Sequence, residues 1–428
     1  MLPVRAKNAW LLLMSLAFYA LGELRFLPLL FLTALWHYAA ARLLTRFPNY
    51  KKGILITAVA ASLFVLFYYK YAAFFLSFVG IELAVPALPV GISFYTFQAI
   101  SYTVDVYRAD VKAQSSPVIF ATYLTLFPQL VAGPIVRYSE VEGMLYQRRV
   151  TASGTSEGAF RFSVGLFKKL VLADTLSLLA SAYRAHTPTV LLAWLSAIAF
   201  ALQIYFDFSG YSDMAVGLGK FFGFDFPENF NYPYIARSVT EFWRRWHITL
   251  SAFFKSYVYI PLGGNRRGRL RTYLNLFLVW LLTGLWHGAS FTFIAWGVFY
   301  ALLLILEKAF GCIRNAVLGH SYLILVTVVG FVFFEAPTLF LAFSKLSVML
   351  GIGAGLYDAT ALTYLFDYAP FLLLSILAAT PLVRRLLEAL REDKSRAFVK
   401  AALTPATLVI ALAFLVGASS HPFLYFRF

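Results

Sequence analysis

Long apolar runs dominate the pattern of hydrophobic and polar positions along this chain. Most are bounded by charged residues, and several are shorter than the roughly 20 residues that a helix needs to cross a bilayer. The runs cover residues 9–22, 26–41, 53–69, 71–81, 90–104, 117–136, 170–183, 187–219, 272–306, 321–344, 346–366, 368–383 and 401–426. This pattern predicts an all-α polytopic membrane protein with about ten to twelve transmembrane helices, some of them broken or re-entrant.

The composition supports the same class. Hydrophobic residues make up 61% of the 428 residues and charged residues 13%, and the mean hydropathy is +0.75. That leaves too little polar surface for a soluble protein of this size, so we expect a single membrane domain over residues 1–428. The first apolar run follows Arg5 and Lys7 without a small-residue cleavage site, which indicates a retained span. Cys312 is the only cysteine, which excludes an intrachain disulfide and a thiolate metal cluster.

The formal net charge of +16 comes from basic residues in short loops between the apolar runs. The densest cluster, residues 237–271, contains eight basic residues and a single acidic one, Glu241. Loops rich in Lys and Arg are typical of the cytoplasmic side of a membrane protein. We therefore interpret residues 237–271 as a basic cytoplasmic or re-entrant segment within the membrane domain, and we predict no nucleic-acid partner.

Two segments carry proline and glycine inside apolar surroundings, residues 85–91 (VPALPVG) and 127–134 (FPQLVAGP). They indicate interrupted helices rather than clean spans. Broken helices at membrane depth must be buried in protein or line a water-filled cavity. The alternative is a kink in an ordinary span.

Residues 272–306 contain no Asp, Glu, Lys or Arg. A continuous helix of that length would be about 50 Å long, against about 30 Å for the hydrocarbon core. The run must therefore fold back, and the expected break is residues 286–290 (WHGAS). If Arg271 marks the basic surface, His287 lies roughly 24 Å inside it.

An ionisable residue at membrane depth is a functional-site hypothesis by default, and histidine is suited to proton transfer near neutral pH. On this basis His287 is our first candidate for catalysis. The structural alternative is a neutral histidine that hydrogen-bonds a neighbouring helix. Depth alone does not decide between the two.

His247 lies in residues 242–251 (FWRRWHITLS), where aromatic and basic residues alternate. Trp243, Trp246 and His247 are three and four positions apart and would share one face of a helix. Snorkelling arginines beside interfacial tryptophans are one interpretation. The other is a cationic entrance for an anionic donor, such as a CoA thioester or a carrier-protein phosphopantetheine.

Two further segments carry candidate chemistry. Residues 260–266 (IPLGGNR) contain a glycine pair that is interpreted either as a cytoplasmic turn or as a phosphate cradle built from backbone N–H groups. Asp207 and Asp213, within residues 207–214 (DFSGYSDM), are expected to pair with nearby arginines rather than to hold a cation. The sequence contains no H-E-x-x-H metal-ligand spacing, and neither a zinc nor a serine-hydrolase mechanism is predicted.

Taken together, the motifs resemble the membrane-bound O-acyltransferase (MBOAT) family, in particular its branch of bacterial polysaccharide (alginate-type) O-acetyltransferases. The resemblance covers nearly the whole chain and rests on eight segments in order. These are residues 91–98 (GISFYTFQ), 127–138 (FPQLVAGPIVRY), 207–214 (DFSGYSDM), 227–234 (PENFNYPY), 241–251 (EFWRRWHITLS), 259–266 (YIPLGGNR), 284–289 (GLWHGA) and 422–428 (PFLYFRF).

The resemblance implies a fold of transmembrane helices around a central tunnel, with His287 as the catalytic histidine and His247 as the second histidine of the site. It implies a multi-pass protein of the bacterial inner membrane that uses a cytoplasmic acyl donor, acetyl-CoA, and holds no cofactor or metal. It also implies a periplasmic acyltransferase partner of the SGNH type, which would complete O-acetylation of an exported polysaccharide such as alginate.

Two positions depart from the branch. This chain has Lys255 and Ser256 where relatives carry an Arg-Asp pair, and Glu335 where they carry arginine.

Two alternative functions remain open. One is D-alanyl transfer to teichoic acid, within the same family, and the other is a transporter with a histidine in its permeation path. The remaining histidines, His37, His186, His320 and His421, are expected to be structural or interfacial.

Overall fold

The computed structural model describes residues 3–390, 393–417 and 423, and this part of the chain is helical without β-strands. The α-helices are α1 (Val4–Glu23), α2 (Leu27–Arg46), α3 (Lys51–Lys70), α4 (Ala72–Ser77), α5 (Ile92–Arg108), α6 (Pro117–Thr125), α7 (Phe127–Leu130), α8 (Tyr138–Tyr146), α9 (Ala152–Phe167), α10 (Asp174–Ala185), α11 (Val190–Phe221), α12 (Val239–Arg245), α13 (Ile248–Phe254), α14 (Gly268–His287), α15 (Phe291–Phe310), α16 (Ala316–Glu335), α17 (Leu339–Met349), α18 (Ala359–Ala378), α19 (Leu382–Ala389) and α20 (Asp393–Gly417). Short 3₁₀ segments are Leu24–Phe26, Pro48–Tyr50 and Pro233–Ile235, and π-helical turns are Lys168–Ala173 and Lys255–Tyr259.

The predicted all-α membrane class is confirmed. Within the described residues, seven helical segments are long and apolar enough to cross a membrane: Ala6–Arg46, Pro48–Lys70, Val190–Phe221, Phe291–Phe310, Ala316–Glu335, Ala359–Ala378 and Asp393–Val416. The first of these bends at Leu24–Phe26 into α1 and α2, each 20 residues long. The predicted total of ten to twelve spans also counted shorter apolar runs, and it stays a prediction. Of the expected C-terminal motif at residues 422–428, only Phe423 lies within the described residues, and His421 lies outside them.

The described chain divides into two compact units. One comprises the residues up to Gly158 together with Ala215–Glu228, and the other comprises Ala159–Met214 and the residues from Asn229 onward. Each is described separately below. The single membrane domain expected from the sequence stays a prediction.

In the first unit, a buried histidine ties three helices together. The imidazole of His37 on α2 hydrogen-bonds the hydroxyl of Thr103 on α5 through Nδ1 and the hydroxyl of Ser62 on α3 through Nε2, both at 2.7 Å. Polar side chains of this kind stabilise helix pairs where water is excluded. The structural role expected for His37 is confirmed.

Both predicted interruptions are present in the first unit. Residues 81–90 have no regular secondary structure, and α7 is only four residues long before the chain again becomes irregular. Gly91 follows the first interruption with a φ of +77°, and a Cβ atom there would lie 2.5 Å from the carbonyl oxygen of Leu130. The two interrupted segments therefore pack so closely at this point that only glycine fits.

In the second unit, α14 and α15 form a tight antiparallel hairpin. A Cβ atom on Gly284 would lie 2.4 Å from the carbonyl oxygen of Phe293, and one on Gly297 would lie 2.5 Å from that of Trp280. Small residues let helix backbones approach closely in a membrane. This close packing against α15 fixes the position of the end of α14, where His287 lies.

Candidate active site

The predicted fold-back of residues 272–306 is confirmed, and His287 lies at the break. Helix α14 ends at His287, and Gly288 is fully extended. The hydroxyl of Ser290 then caps α15 by accepting a hydrogen bond from the backbone N–H of Phe293. His287 is therefore the last helical residue before the chain reverses direction.

Aromatic side chains surround the His287 imidazole, which is 7% exposed. The ring centroids of Trp286, Trp296 and Phe334 lie 4.9, 5.0 and 5.1 Å from its own. Such walls exclude water, and an excluded-water site strengthens every polar interaction inside it. This enclosed position suits proton transfer.

The structure corrects the expectation that Trp243, Trp246 and His247 share a helical face. Helix α12 ends at Arg245, Trp246 is extended, and His247 has a left-handed backbone with φ +43° before α13 begins. The helix is interrupted because the segment 229–231 hydrogen-bonds the backbone on both sides of the bend. The backbone N–H of Asn231 donates to the carbonyl of Arg245, and the N–H of Ile248 donates to the carbonyl of Asn229. These bonds between distant segments replace those of a continuous helix.

The bend at Trp246 directs His247 into the protein. His247 is 2% exposed, and its Nδ1 lies 3.0 Å from Oδ1 of the Asn229 side chain. The ring of Phe208 on α11 packs edge-on against the imidazole at 4.7 Å between centroids. Asn229 was not selected from the sequence, because no local pattern marks a hydrogen bond between residues 18 positions apart.

The two candidate histidines, 40 positions apart in sequence, line one cavity in the second unit. Its remaining walls are apolar or aromatic side chains: Ile204, Phe208, Trp246, Trp296, Phe331 and Phe334. The cavity volume is about 10 Å³, which has room for about one water molecule. A small apolar cavity with two imidazoles is suited to moving a proton between a bound hydroxyl and a ring nitrogen.

The tryptophans of the basic segment are core residues, which corrects the interfacial interpretation. Trp243 and Trp246 are both buried, and Trp243 packs against Trp280 and Tyr300 with centroids 4.5 and 4.9 Å apart. Arg244, next to Trp243, is exposed. Aromatic and basic residues alternate here because α12 buries its aromatic face and exposes its basic one.

The side chain of Glu241 stabilises the first turn of α12 through hydrogen bonds. Its carboxylate accepts hydrogen bonds from the backbone N–H of Arg237 and from the guanidinium of Arg245. Burial alone would raise the pKa of Glu241, but these hydrogen bonds and the charges of the two arginines hold it below its ordinary value. The single acidic residue of the basic segment therefore stabilises α12.

The glycine pair in residues 260–266 forms a turn, which was the first of the two interpretations of this segment. The N–H groups of Gly263, Gly264 and Arg266 donate to carbonyls within the turn itself. The side-chain amide of Asn275 on α14 donates to the carbonyls of Leu262 and Gly264. Since the N–H groups are already used, a phosphate cradle built from them is not supported.

The expected pairing with an arginine is confirmed for Asp213, whereas the ion pair of Asp207 is with a lysine. Asp213 accepts from Arg161 at 2.9 Å and from Lys168 at 2.6 Å. Asp207 accepts from Lys169 at 2.7 Å. Lysines share the role predicted for arginines alone. Among the described residues, no group of three or more His, Cys, Asp or Glu side chains could hold a metal ion.

The departure at Glu335 is compensated by neighbouring cations. This residue ends α16, directly after Phe334 of the cavity wall, and its carboxylate pairs with Lys345 at 2.8 Å and Arg184 at 2.9 Å. At the other departure, Lys255 begins a π-helical turn.

Two further histidines lie away from the cavity lining. His186 hydrogen-bonds the hydroxyl of Tyr364, and His320 hydrogen-bonds the carbonyl of Ala236.

Comparison with known proteins identifies the family of this chain. Residues 108–344 match the model of the membrane-bound O-acyltransferase family, MBOAT. The chain is 43% identical over 370 residues to a Pseudomonas putida protein named "Probable alginate O-acetylase AlgI", covering 82% of this chain and 76% of the relative. It is 37% identical over 387 residues to the peptidoglycan O-acetyltransferase of Helicobacter pylori, covering 80% and 73%.

A more distant relative is the teichoic acid D-alanyltransferase of Bacillus subtilis. It is 26% identical over 228 residues, which cover 50% of this chain and 58% of the relative. The family match includes both cavity histidines, and the apolar helices account for a protein that crosses the membrane several times. The chain therefore belongs to the membrane-bound O-acyltransferase family and is a multi-pass integral membrane O-acyltransferase.

Proposed function

We propose that this protein takes an acetyl group from acetyl-CoA on the cytoplasmic side of a bacterial inner membrane and passes it across for O-acetylation of an exported polysaccharide such as alginate. The observation that carries the proposal is the cavity lined by both His247 and His287. Support for the polysaccharide comes from the names of the relatives that are 43% and 37% identical, an alginate O-acetylase and a peptidoglycan O-acetyltransferase.

In the proposed reaction, His287 acts as general base towards the acceptor hydroxyl. The hydroxyl oxygen attacks the thioester carbonyl carbon while its proton passes to the imidazole. Collapse of the tetrahedral intermediate breaks the C–S bond, and the proton goes to the departing thiolate. General base catalysis of this kind contributes a factor of about 10² to 10⁴ in rate. The second possibility is a transient acyl-histidine, which divides the transfer into two steps.

The donor side of the proposal rests on the basic segment. The side chains of Arg266, Arg267, Arg269 and Arg271 are exposed on or next to the turn that precedes α14. Clustered guanidinium groups attract and bind phosphates, and CoA carries several of them. From this turn, α14 runs 20 residues to His287. A donor bound at the turn would therefore lie at the start of the helix that carries His287 at its end.

The acceptor proposed for the far side is a periplasmic acyltransferase of the SGNH type, which would pass the acetyl group to the glycan. This part rests on the resemblance to the alginate-type branch. D-alanyl transfer is the second candidate within the family. It is less favoured because the D-alanyltransferase relative is only 26% identical and matches only half of this chain.

The test is reconstitution of the purified protein in proteoliposomes, with radiolabelled acyl donors outside and an SGNH-type acyltransferase inside as the acceptor. We expect acetyl transfer from acetyl-CoA, and a loss of about 10²-fold or more in His287→Ala. His186→Ala is the matched control, since His186 is exposed and bonds Tyr364. Undiminished transfer by His287→Ala would refute the catalytic assignment. Label taken only from a D-alanyl carrier protein would establish the second candidate, and solute flux without acyl transfer would establish a transporter.

A further inference from the structure

The side chain of Asn229 lies at the centre of a buried hydrogen-bond network around His247. Its Oδ1 accepts from the backbone N–H of Thr249 at 3.3 Å and from the Thr249 hydroxyl at 2.9 Å. Its Nδ2 donates to the hydroxyl of Ser212 on α11 at 3.2 Å. His247 Nδ1 lies 3.0 Å from the same Oδ1. Asn229 is 1% exposed, so water does not compete for these bonds.

This network fixes which way the Asn229 amide points. A backbone N–H can only donate, so the Asn229 atom that faces Thr249 must be the carbonyl oxygen rather than the amide nitrogen. The opposite orientation would place two donors against each other in a buried site, at a cost of about 1–3 kcal/mol. Oδ1 is therefore the atom that faces His247.

The orientation of Asn229 in turn fixes the proton of His247. An amide oxygen can only accept, so Nδ1 of His247 must carry a hydrogen and donate it. In a neutral imidazole the other nitrogen then has a lone pair. That nitrogen, Nε2, is buried and has no hydrogen-bond partner among the described residues. Since His247 lines the cavity, Nε2 is the polar atom that it offers there.

We propose that Asn229 is a positioning residue that holds His247 as the Nδ1–H tautomer, so that Nε2 presents a hydrogen-bond acceptor to the cavity shared with His287. An acceptor at this position can bind the hydroxyl hydrogen of an incoming nucleophile. It cannot donate to the carbonyl oxygen of an acyl donor. The tautomer is independent of the proposed function, and only its use in acyl transfer rests on that function.

The tautomer is measured directly by solid-state NMR on ¹⁵N-histidine-labelled protein in lipid. We expect a protonated Nδ1 and an unprotonated Nε2 for His247, identified among the six histidines by comparison with His247→Gln. Asn229→Leu should lose this tautomer preference. Asn229→Asp should keep Nδ1 protonated, because a carboxylate still accepts from His247 and Thr249 although it cannot donate to Ser212. Asn275→Leu is the control, since Asn275 is also buried but bonds the turn before α14.

An Nε2–H tautomer in the wild type, or an unchanged spectrum in Asn229→Leu, would overturn the proposal. If Asn229→Leu does not fold, the spectra of the wild type and of Asn229→Asp still test the proposal.

Where acetyl transfer is measurable, Asn229→Asp offers a second, kinetic test. A carboxylate beside Nδ1 stabilises the imidazolium of His247, so the part of the acid limb of the pH–rate profile that reports protonation of His247 should move to higher pH by about 1–3 units. A limb that stays in place in Asn229→Asp would contradict the role assigned to Asn229.

Discussion

The carboxylate of Glu307 on α15 accepts a hydrogen bond from the backbone N–H of Val239, the first residue of α12, at 2.6 Å. Its second oxygen accepts from the N–H of Thr240 at 2.8 Å. Helix α15 carries Trp296 of the cavity wall, and α12 leads directly into the bend at His247. One buried carboxylate therefore links the helices that carry two sides of the cavity.

This link makes Glu307→Ala strongly destabilising. The substitution leaves two N–H groups of α12 without their acceptor, at roughly 1–3 kcal/mol for each buried group. Glu307→Gln should lose less, because its amide oxygen can still accept one of the bonds. The unfolding temperature measured in detergent should therefore be highest for the wild type, lower for Glu307→Gln and lowest for Glu307→Ala. Glu388→Ala, at an exposed position of α19, is the control. Equal unfolding temperatures for the three proteins would show that the cap contributes nothing.

The glycine contact between α14 and α15 gives a second prediction. Gly297→Val should separate the hairpin, because even a Cβ atom there would lie 2.5 Å from the Trp280 carbonyl. We expect a loss of stability of about 1–3 kcal/mol or more. Acyl transfer should fall with it, since the cavity lies at the end of the same hairpin. Gly22→Ala is the control, as the added Cβ has no atom within 4 Å outside its own stretch of helix. Normal activity in Gly297→Val would show that the hairpin tolerates a wider spacing.

The buried ion cluster that joins the π-helical turn Lys168–Ala173 to α10 and α11 gives an asymmetric prediction. Lys169 pairs with both Asp174 and Asp207, each at 2.7 Å. Lys169→Met leaves two carboxylates without their shared cation and should cost about 3–5 kcal/mol. Asp207→Asn leaves a matched pair of Lys169 and Asp174, so its cost should be smaller.

Chemical unfolding of the two single variants and the double variant tests this asymmetry. The double variant Lys169→Met/Asp207→Asn should recover part of the stability that Lys169→Met loses, because one of the two carboxylates is gone. Equal costs for the two single variants would contradict the charge argument.

Features that depend on hydrophobic length were predictable from the sequence. The run 272–306 is too long for one span, which predicted the fold-back, and the segment WHGAS at residues 286–290 indicated where it lies. The bend at Trp246 was not predictable, because Asn229 and Asn231 form the hydrogen bonds that stop α12 there. The cap by Glu307 joins residues 68 positions apart. In each case, a bond between distant segments overrides the local preference of the chain.

The walls of the cavity give the last prediction, which concerns acyl chain length and rests on the proposed function. The cavity has room for about one water molecule, so an acetyl group enters only when the walls move, and each added methylene group requires a larger movement. Acetyl should therefore be accepted in preference to longer chains. Replacing Phe334 with alanine removes a ring that packs against His287 and should raise kcat/KM for butyryl-CoA relative to acetyl-CoA by about 10-fold or more. The same change should cost about 3–5 kcal/mol of stability, so the ratio of the two donors is the quantity to measure. Phe340→Ala, at an exposed position of α17, should leave that ratio unchanged. An unchanged donor ratio in Phe334→Ala would mean that the acyl chain does not occupy this cavity.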